Sequence, residues 1–256
     1  MVATRTVLVT GAARRIGAAV ARHLAGEGWR VAIHYHEHAD AALELADALP
    51  GAIALPGDLA DPAVPPALIA AARAALGAPL AGLVNNASVF RFDAPPRIDR
   101  ASLDEHHAIN LAAPALLASA LALQDDLAEG AVVNLLDQKL ANPNPDFFSY
   151  SCAKFALGGA TTMLAQALGP RIRVNAVSPG ISLPSGGQSE AEFHAVASDN
   201  LLRRPVAIDD IACAVAWLLG ARGVTGQNVF VDCGQRFLPR ARDVMFDAGP
   251  AGAHRG

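Results

Sequence analysis

Short apolar runs alternate with helical stretches along nearly the whole chain of 256 residues, and this alternation restricts the possible folds more than any other feature. Each run has the length of a strand and lacks a polar face, which indicates strands buried on both sides of a sheet. Helices between such strands serve as crossover connections, so the strands are predicted to lie parallel. The predicted strands span residues 6–10, 30–35, 52–55, 82–85, 132–136, 173–177 and 228–232.

The sequence therefore predicts a single α/β domain over residues 1–256, a doubly wound sheet of about seven parallel strands with helices on both faces. The predicted helices span 16–27, 39–49, 62–76, 102–127 and 209–219, with a further helix that bears Tyr150 and ends near residue 168. Two stretches are predicted to be irregular. They are a Gly-, Ser- and Pro-rich loop at 181–204, which is a candidate substrate loop, and a C-terminal tail at 236–256 with no core left to join.

Composition excludes several classes of protein. Hydrophobic residues at 52% and charged residues at 17% are typical of a folded globular chain. A net charge of −4 provides no basic surface for nucleic acid. No apolar run reaches the roughly 18 residues of a membrane helix, and the three cysteines form no C-x-x-C pair. We expect a soluble cytoplasmic protein that binds neither nucleic acid nor membrane, with a small molecule as its substrate.

A glycine-containing turn, Thr10-Gly11-Ala12-Ala13-Arg14-Arg15-Ile16-Gly17, joins the first strand to the first helix. Gly11 permits a tight turn, and Gly17 allows the helix to pack close to the sheet. The N-terminus of that helix then faces the position of a pyrophosphate. This arrangement predicts a Rossmann-type fold that binds a dinucleotide.

Tyr150 and Lys154 lie four residues apart and thus on one face of a helix, with Asp137 thirteen residues before Tyr150. A nearby ammonium favours the phenolate, so we expect Lys154 to lower the pKa of Tyr150 from about 10. The Tyr150 hydroxyl would then work as an acid or base near neutral pH. After a nucleotide-binding turn, these residues predict a proton-relay site.

Together these motifs resemble the short-chain dehydrogenase/reductase family over roughly residues 5–235. That family carries T-G-x-x-x-G-x-G, N-N-A-G, a Ser-Tyr-Lys set and P-G in this order. The counterparts here are Thr10 to Gly17, Asn85-Asn86-Ala87-Ser88, Asp137 with Tyr150 and Lys154, and Pro179-Gly180.

Three departures from the family pattern are specific to one branch. Arg15 replaces the middle glycine, Ser88 replaces the last residue of N-N-A-G, and Asp137 replaces the serine. With His34-Tyr35-His36 at the end of the second strand and Phe90 after Ser88, they resemble pteridine reductases and bacterial dihydromonapterin reductases. The resemblance implies reduction of a C=N bond in a pterin or dihydropterin/dihydrofolate-type substrate.

The resemblance also implies which residues form the site. The implied cofactor-binding residues are Gly11, Arg14, Arg15, Ile16, Gly17, His34, Tyr35, His36, Asp58, Leu59, Asn86, Ala87, Ser88, Lys154, Pro179 and Gly180. The implied catalytic residues are Asp137, Tyr150, Lys154 and Asn110, where the backbone of Asn110 helps to hold a water that links Lys154 to solvent. The implied substrate-binding residues are Arg15, Ser88, Phe90, Asp137 and Tyr150.

The chemistry of a pterin explains three of these positions. Because reduction of C=N requires a proton at nitrogen, Asp137 would hold the Tyr150 hydroxyl or a water in line for delivery. Phe90 would offer an aromatic face opposite the nicotinamide, and Arg15 would donate to a phosphate and to a pterin carbonyl oxygen.

The cofactor is predicted to be NADPH. NAD-dependent enzymes usually place an acidic residue at the end of the second strand to bind the ribose. Here His34-Tyr35-His36 lies at that place with Arg14 and Arg15 nearby, which suits a 2′-phosphate. If Glu37 points at the ribose instead, NAD can be used. The histidines show no metal-ligand spacing, so no metal is predicted.

Two other functions stay open at this point: a carbonyl reductase acting on ketones or quinones, and a non-catalytic NADPH-binding regulator. The helix at 102–127 and the Tyr150 helix are apolar on several faces, which predicts subunit contacts. The resemblance implies a homotetramer in which the tail, with Arg236, Arg240 and Arg242, reaches a neighbouring subunit's active site.

Overall fold

A computed structural model describes residues 5–184 and 190–246, except for the side chains of residues 190–192 and 195. All seven strands lie parallel in one sheet with the order β3-β2-β1-β4-β5-β6-β7. The strands are β1 (Thr6–Val9), β2 (Arg30–Tyr35), β3 (Ile53–Pro56), β4 (Gly82–Asn85), β5 (Gly130–Leu135), β6 (Ile172–Pro179) and β7 (Asn228–Val231). The predicted α/β architecture is confirmed.

Helices connect successive strands, as the parallel order requires. They are α1 (Arg15–Gly26), α2 (Ala39–Ala48), α3 (Val64–Leu76), α4 (Arg100–His107), α5 (Ala113–Ala122), α6 (Phe148–Leu168), α7 (Glu190–Ala197) and α8 (Ile208–Gly220). In the described part of the chain, no helix is both long and apolar enough to cross a membrane.

Two hydrophobic cores cover the two faces of the sheet because successive strand residues point to opposite sides. In β1, Val7 and Val9 pack with residues of α1, α2 and α8, whereas Leu8 packs with residues of α3 and α5. The apolar strands seen in the sequence are therefore buried on both faces, as expected for a doubly wound sheet.

The helix predicted at 102–127 is shorter and is divided. A π-helical turn at Ala108–Ala112 separates α4 from α5, and α5 ends at Ala122. Asn110 lies at this turn and is fully buried. A π-turn inserts a residue into the helix and often marks a functional position.

Both stretches predicted to be irregular contain order. The candidate loop at 181–204 includes α7, and the tail forms 3-10 turns at Gln235–Phe237 and Val244–Phe246. The tail packs against the loop before α6, where the Leu238 carbonyl accepts a hydrogen bond from Asn142 Nδ2 at 2.8 Å. Tail residues 247–256 lie outside the described residues.

Candidate active site

A cleft of about 760 Å³ opens at the carboxyl edge of the sheet, where the order of the strands reverses between β1 and β4. Doubly wound sheets bind their ligands at such a switch point. Every residue predicted for the site lines this cleft except Asn110 and Lys154, which lie directly behind its wall.

The first turn needs both of its predicted glycines. Gly11 has φ 60°, and a Cβ there would lie 2.9 Å from Cα of Ala87. A Cβ on Gly17 would lie 2.5 Å from the Gly11 carbonyl oxygen. The Thr10 hydroxyl oxygen accepts hydrogen bonds of 3.0 Å from the backbone N–H groups of Asn86 and Ala87, which joins the turn to the end of β4.

His34, on β2, supports this turn through hydrogen bonds. Its Nδ1 accepts a 3.2 Å hydrogen bond from the Gly11 N–H, and its Nε2 lies 3.1 Å from the Gly57 carbonyl oxygen. Burial lowers the pKa of His34 from 6.5 to about 4, so the ring is neutral at pH 7. His34 therefore positions the first turn, with only 2% of its surface exposed.

Basic side chains gather where β2 ends. The Arg14 guanidinium is hydrogen-bonded to Nε2 of His38, and Nδ1 of His36 lies 4.0 Å from a carboxylate oxygen of Asp58. The Glu37 carboxylate lies 3.9 Å from His38 Nε2, with 77% of its side chain exposed. Arg14, His36 and His38 thus place a guanidinium and two imidazoles at one end of the cleft.

Arg15 occupies a backbone position that suits glycine, with φ 57°. A non-glycine residue in this region costs on the order of 1 kcal/mol. Both terminal nitrogens of its guanidinium donate to the Pro184 carbonyl oxygen, at 3.0 and 3.1 Å. Arg15 thereby links the first turn to the start of the candidate substrate loop.

Asp137 and Tyr150 meet at the centre of the cleft. The Tyr150 hydroxyl donates a 2.8 Å hydrogen bond to Oδ2 of Asp137, and the Lys139 N–H donates to Oδ1, also at 2.8 Å. Burial raises the pKa of Asp137, and the hydrogen bonds from Lys139 and Tyr150 oppose that shift. Asp137 and Tyr150 are therefore arranged to pass a proton between them.

Lys154 lies one helical turn after Tyr150, as predicted, but contacts a different group. Its Nζ donates to the Leu135 carbonyl oxygen at 2.7 Å and lies 5.6 Å from the centroid of the Tyr150 ring. Burial lowers the pKa of Lys154 to about 8. The ammonium is therefore still charged at pH 7, beside the last residue of β5.

The expected effect of Lys154 on Tyr150 is wrong for this arrangement. Burial and the neighbouring Asp137 carboxylate together raise the pKa of Tyr150 well above its usual value. Tyr150 is therefore a neutral phenol over the physiological range, and it releases its proton less readily than a free tyrosine does.

Aromatic rings form one wall of the cleft. Phe90 stacks on Phe147 with ring centroids 4.0 Å apart and an angle of 14°, and the Phe90 ring lies edge-on to Tyr150 at 4.7 Å. Phe90 remains 41% exposed, whereas Phe147 is only 4% exposed. The sequence had not indicated Phe147, which fixes the orientation of Phe90.

Two buried side chains hold the loop that carries Ser88 and Phe90. Asn110 binds the backbone of Val89 twice, accepting from its N–H and donating to its carbonyl oxygen at 2.9 Å. His106 is also fully buried, and its Nε2 accepts from the Arg91 N–H at 3.3 Å. The side chain of Asn110 thus supports the substrate wall from behind.

The opposite wall follows β6. The Gly180 N–H donates to the Val231 carbonyl oxygen at 2.9 Å, and the Ile181 N–H donates to Gln235 Oε1 at 3.1 Å. A Cβ on Gly180 would lie 2.8 Å from this Gln235 oxygen. The Pro179-Gly180 motif therefore lets the chain pass close to the segment that follows β7.

Sequence reasoning missed most of the cleft residues after Asp137 and in the tail. The additional lining residues include Gln138, Lys139, Asn142, Asn144, Gln235, Arg240, Asp243, Val244 and Met245. The tail therefore lines the cleft of its own chain, and the expected contact with a neighbouring subunit's active site stays a prediction. In the sequence, only the Arg and Asp residues of the tail indicate that it makes polar contacts, and they do not indicate which residues it contacts.

Comparison with known proteins agrees with this geometry. Residues 11–236 match the family described as enoyl-(acyl carrier protein) reductase. A short-chain type dehydrogenase/reductase from Picea abies is 32% identical over 251 residues, covering 90% of this chain and 92% of the relative. The chain therefore belongs to the short-chain dehydrogenase/reductase family.

Two further relatives carry names that concern pterins and folates. The crystal structure of FolM alternative dihydrofolate reductase 1 from Brucella suis, in complex with NADP, is 39% identical with a TM-score of 0.89. It covers 94% of this chain and 98% of that one. Dihydromonapterin reductase from Klebsiella pneumoniae is 27% identical over 234 residues, or 90% of this chain and 96% of the relative.

Proposed function

We propose that the protein is an NADPH-dependent reductase that transfers a hydride to a C=N bond of a pterin or a dihydropterin/dihydrofolate-type substrate. The observation that carries this proposal is the hydrogen bond from the Tyr150 hydroxyl to Asp137, at 2.8 Å. A carboxylate holds the phenol at the position where carbonyl reductases of the family carry a serine. The likeness to the Brucella and Klebsiella proteins supports the same substrate class.

Binding of NADPH is supported by the two ends of the cleft. Bound NADPH supplies the hydride. The N-terminus of α1 offers free N–H groups to the pyrophosphate, and Arg14, His36 and His38 suit the 2′-phosphate. Glu37 points toward His38 with most of its side chain in solvent, an arrangement that favours NADP over NAD. NADP in the Brucella structure is consistent with this choice.

A flat heterocycle fits between the nicotinamide and the exposed face of Phe90. Phe147 already covers the other face of Phe90 and holds the ring in place. Aromatic stacking of this kind contributes about 0.5–1.5 kcal/mol beyond the buried area. Arg15 and Ser88 provide donors at the rim, so one wall recognises the ring face and the rim recognises its polar edge.

Proton delivery follows from the state of Tyr150. Reduction adds the hydride to carbon and a proton to the neighbouring nitrogen. The neutral Tyr150 hydroxyl donates that proton, and a solvent water that Asp137 holds in line then returns a proton to the Tyr150 phenolate. Lys154, held at the Leu135 carbonyl oxygen, provides positive charge beside the nicotinamide ribose.

A steady-state panel tests the proposal. NADPH oxidation is measured with dihydrobiopterin and dihydrofolate as pterin-type substrates, and with a simple ketone and a quinone as carbonyl substrates. We expect turnover on the pterin-type substrates with a kcat/KM well above that on the carbonyl compounds. Turnover confined to the ketone or quinone would identify a carbonyl reductase. NADPH binding without turnover on any of them would identify a regulator.

A further inference from the structure

A buried ionic network fastens the C-terminal segment, residues 238–246, to the loop between Asp137 and Tyr150. The Lys139 Nζ donates to the Asp243 carboxylate at 2.9 Å, with only 5% of the Lys139 side chain and 11% of the Asp243 side chain exposed. Asp146, which is 1% exposed, accepts from the Asp243 N–H at 2.7 Å and from Arg242 Nε at 2.8 Å. Burial of these charges is unfavourable in free energy, and their mutual attraction offsets it only while they stay paired.

Lys139 connects this network to the candidate proton relay. Its backbone N–H holds Oδ1 of Asp137, while its Nζ donates to the Asp146 carbonyl oxygen at 2.9 Å. Asp146 directly precedes Phe147, at which the turn into α6 and Tyr150 begins. One lysine thus spans both ends of the loop whose geometry sets the distance between Asp137 and Tyr150.

We propose that Asp243 is a positioning residue for the reaction: through Lys139 it holds Asp137 against the Tyr150 hydroxyl, so the C-terminal segment completes the active site of its own chain. Asp243 fixes the Lys139 side chain and balances its charge within a few ångströms of the relay. This inference rests on the proton-relay role proposed above for Asp137 and Tyr150.

Besides Asp243, several other charged or titratable groups face Tyr150. Asp137 contacts the hydroxyl, Lys154 lies under the ring, and the His106 ring lies 6.4 Å away from the α4 side. The negative charge of Asp243 adds to that of Asp137 in raising the pKa of Tyr150. Loss of that charge leaves the Lys139 ammonium unbalanced, which favours the phenolate.

Asp243→Asn removes the charge and keeps the shape of the side chain. We expect kcat to fall about tenfold to a hundredfold, as for a misplaced catalytic group, with the KM for NADPH unchanged. The matched control is Asp126→Asn, since Asp126 forms a surface ion pair with Arg73 and is 50% exposed, on a part of the fold that does not line the cleft. An equal loss in the two variants would overturn the proposal.

A second measurement needs no substrate, so its result does not depend on whether the substrate is a pterin. The chain has only two tyrosines, so Tyr35→Phe protein grown with a fluorinated tyrosine of lowered pKa carries one label, at Tyr150. Its ¹⁹F resonance reports the phenolate directly. In Tyr35→Phe/Asp243→Asn protein we expect the phenolate at lower pH, and an unmoved titration rejects the proposal even if kcat falls.

A double variant distinguishes loss of the ion pair from general misfolding. Lys139→Gln/Asp243→Asn removes both charges, so no unpaired buried ammonium remains. We expect this protein to unfold at a higher temperature than Asp243→Asn and to recover part of its kcat. Recovery of neither quantity would show that the Lys139–Asp243 pair is not how the segment acts.

Discussion

The Tyr150 hydroxyl donates to Oδ2 of Asp137 at 2.8 Å, although Tyr150 lies in α6 and Asp137 lies beyond the end of β5. The carboxylate stabilises the neutral phenol and opposes its ionisation, in the same direction as burial does. Tyr150 therefore holds its proton in the hydrogen bond to Asp137, and a substrate nitrogen has to compete with that carboxylate for it.

Replacement of Tyr150 by Phe removes the hydroxyl and keeps the ring that packs edge-on against Phe90. We expect kcat to fall by roughly 10²- to 10⁴-fold, as for loss of a general acid, while the Kd for NADPH stays the same. Single-turnover oxidation of NADPH and fluorescence titration measure the two quantities. Ser151→Ala, a buried neighbour on α6, is the matched control and should keep its kcat. Activity near wild type in Tyr150→Phe would remove Tyr150 from the mechanism.

The sequence predicted the strands, the glycine turn and the residues that line the cleft from that turn and from the ends of β2 and β4, because these depend on local spacing and strand periodicity. It could not predict the pKa of Tyr150, which depends on a carboxylate that another element brings to its hydroxyl. The Lys139–Asp243 pair joins residues 104 positions apart, and no local pattern indicates such a contact. The buried state of His106 was missed for a related reason, since its partner lies in a loop before α4.

Asp137→Ser restores the residue that carbonyl reductases of the family carry. If Asp137 takes part in protonating nitrogen, this variant should lose more activity on dihydrobiopterin than on a ketone. The ratio of the two kcat/KM values measures the change and cancels general losses in folding. Asp126→Ser, on the surface beside Arg73, is a control that should leave the ratio unchanged. An unaltered ratio in Asp137→Ser would assign Asp137 a structural role only.

Arg14→Ala should weaken NADPH more than NADH because only NADPH carries the 2′-phosphate. A charge-assisted hydrogen bond is worth about 1.5–3 kcal/mol, so we expect the KM for NADPH to rise roughly tenfold to a hundredfold. Arg22→Ala, on the exposed face of α1, is the control and should affect neither cofactor. If the two KM values rise together in Arg14→Ala, Arg14 does not contact the 2′-phosphate, and Glu37 becomes the residue to test.

His34 should make the folded state sensitive to acid. Its pKa is about 4 when folded against 6.5 when free, so the unfolded chain binds the proton more tightly. The stability from neutral His34 is therefore complete above pH 6.5 and is lost as the pH falls toward 4, by roughly 3 kcal/mol. Urea unfolding at a series of pH values measures this. His34→Gln should flatten that slope, whereas the exposed control His107→Gln should retain it. Equal slopes in wild type and His34→Gln would show that another group causes the acid sensitivity.

Apolar side chains on α5 and α6 should mediate the proposed tetramer. Leu116 on α5 and Leu123, which directly follows α5, are 39% and 76% exposed, and Phe155 and Met163 on α6 are 43% and 63% exposed. Exposed apolar groups on two neighbouring helices are typical of subunit interfaces. We expect Met163→Glu to dissociate the assembly in light scattering, because association would then bury an unpaired carboxylate.

The control for Met163→Glu is Leu43→Glu on α2, where the side chain is similarly exposed at 51%. This variant should keep the mass of the wild-type protein, because α2 lies away from the proposed interface. The dissociated Met163→Glu protein should still bind NADPH, since its cofactor cleft is built within one chain. A wild-type mass that is already monomeric, or a Met163→Glu protein with the wild-type mass, would contradict an interface on these two helices.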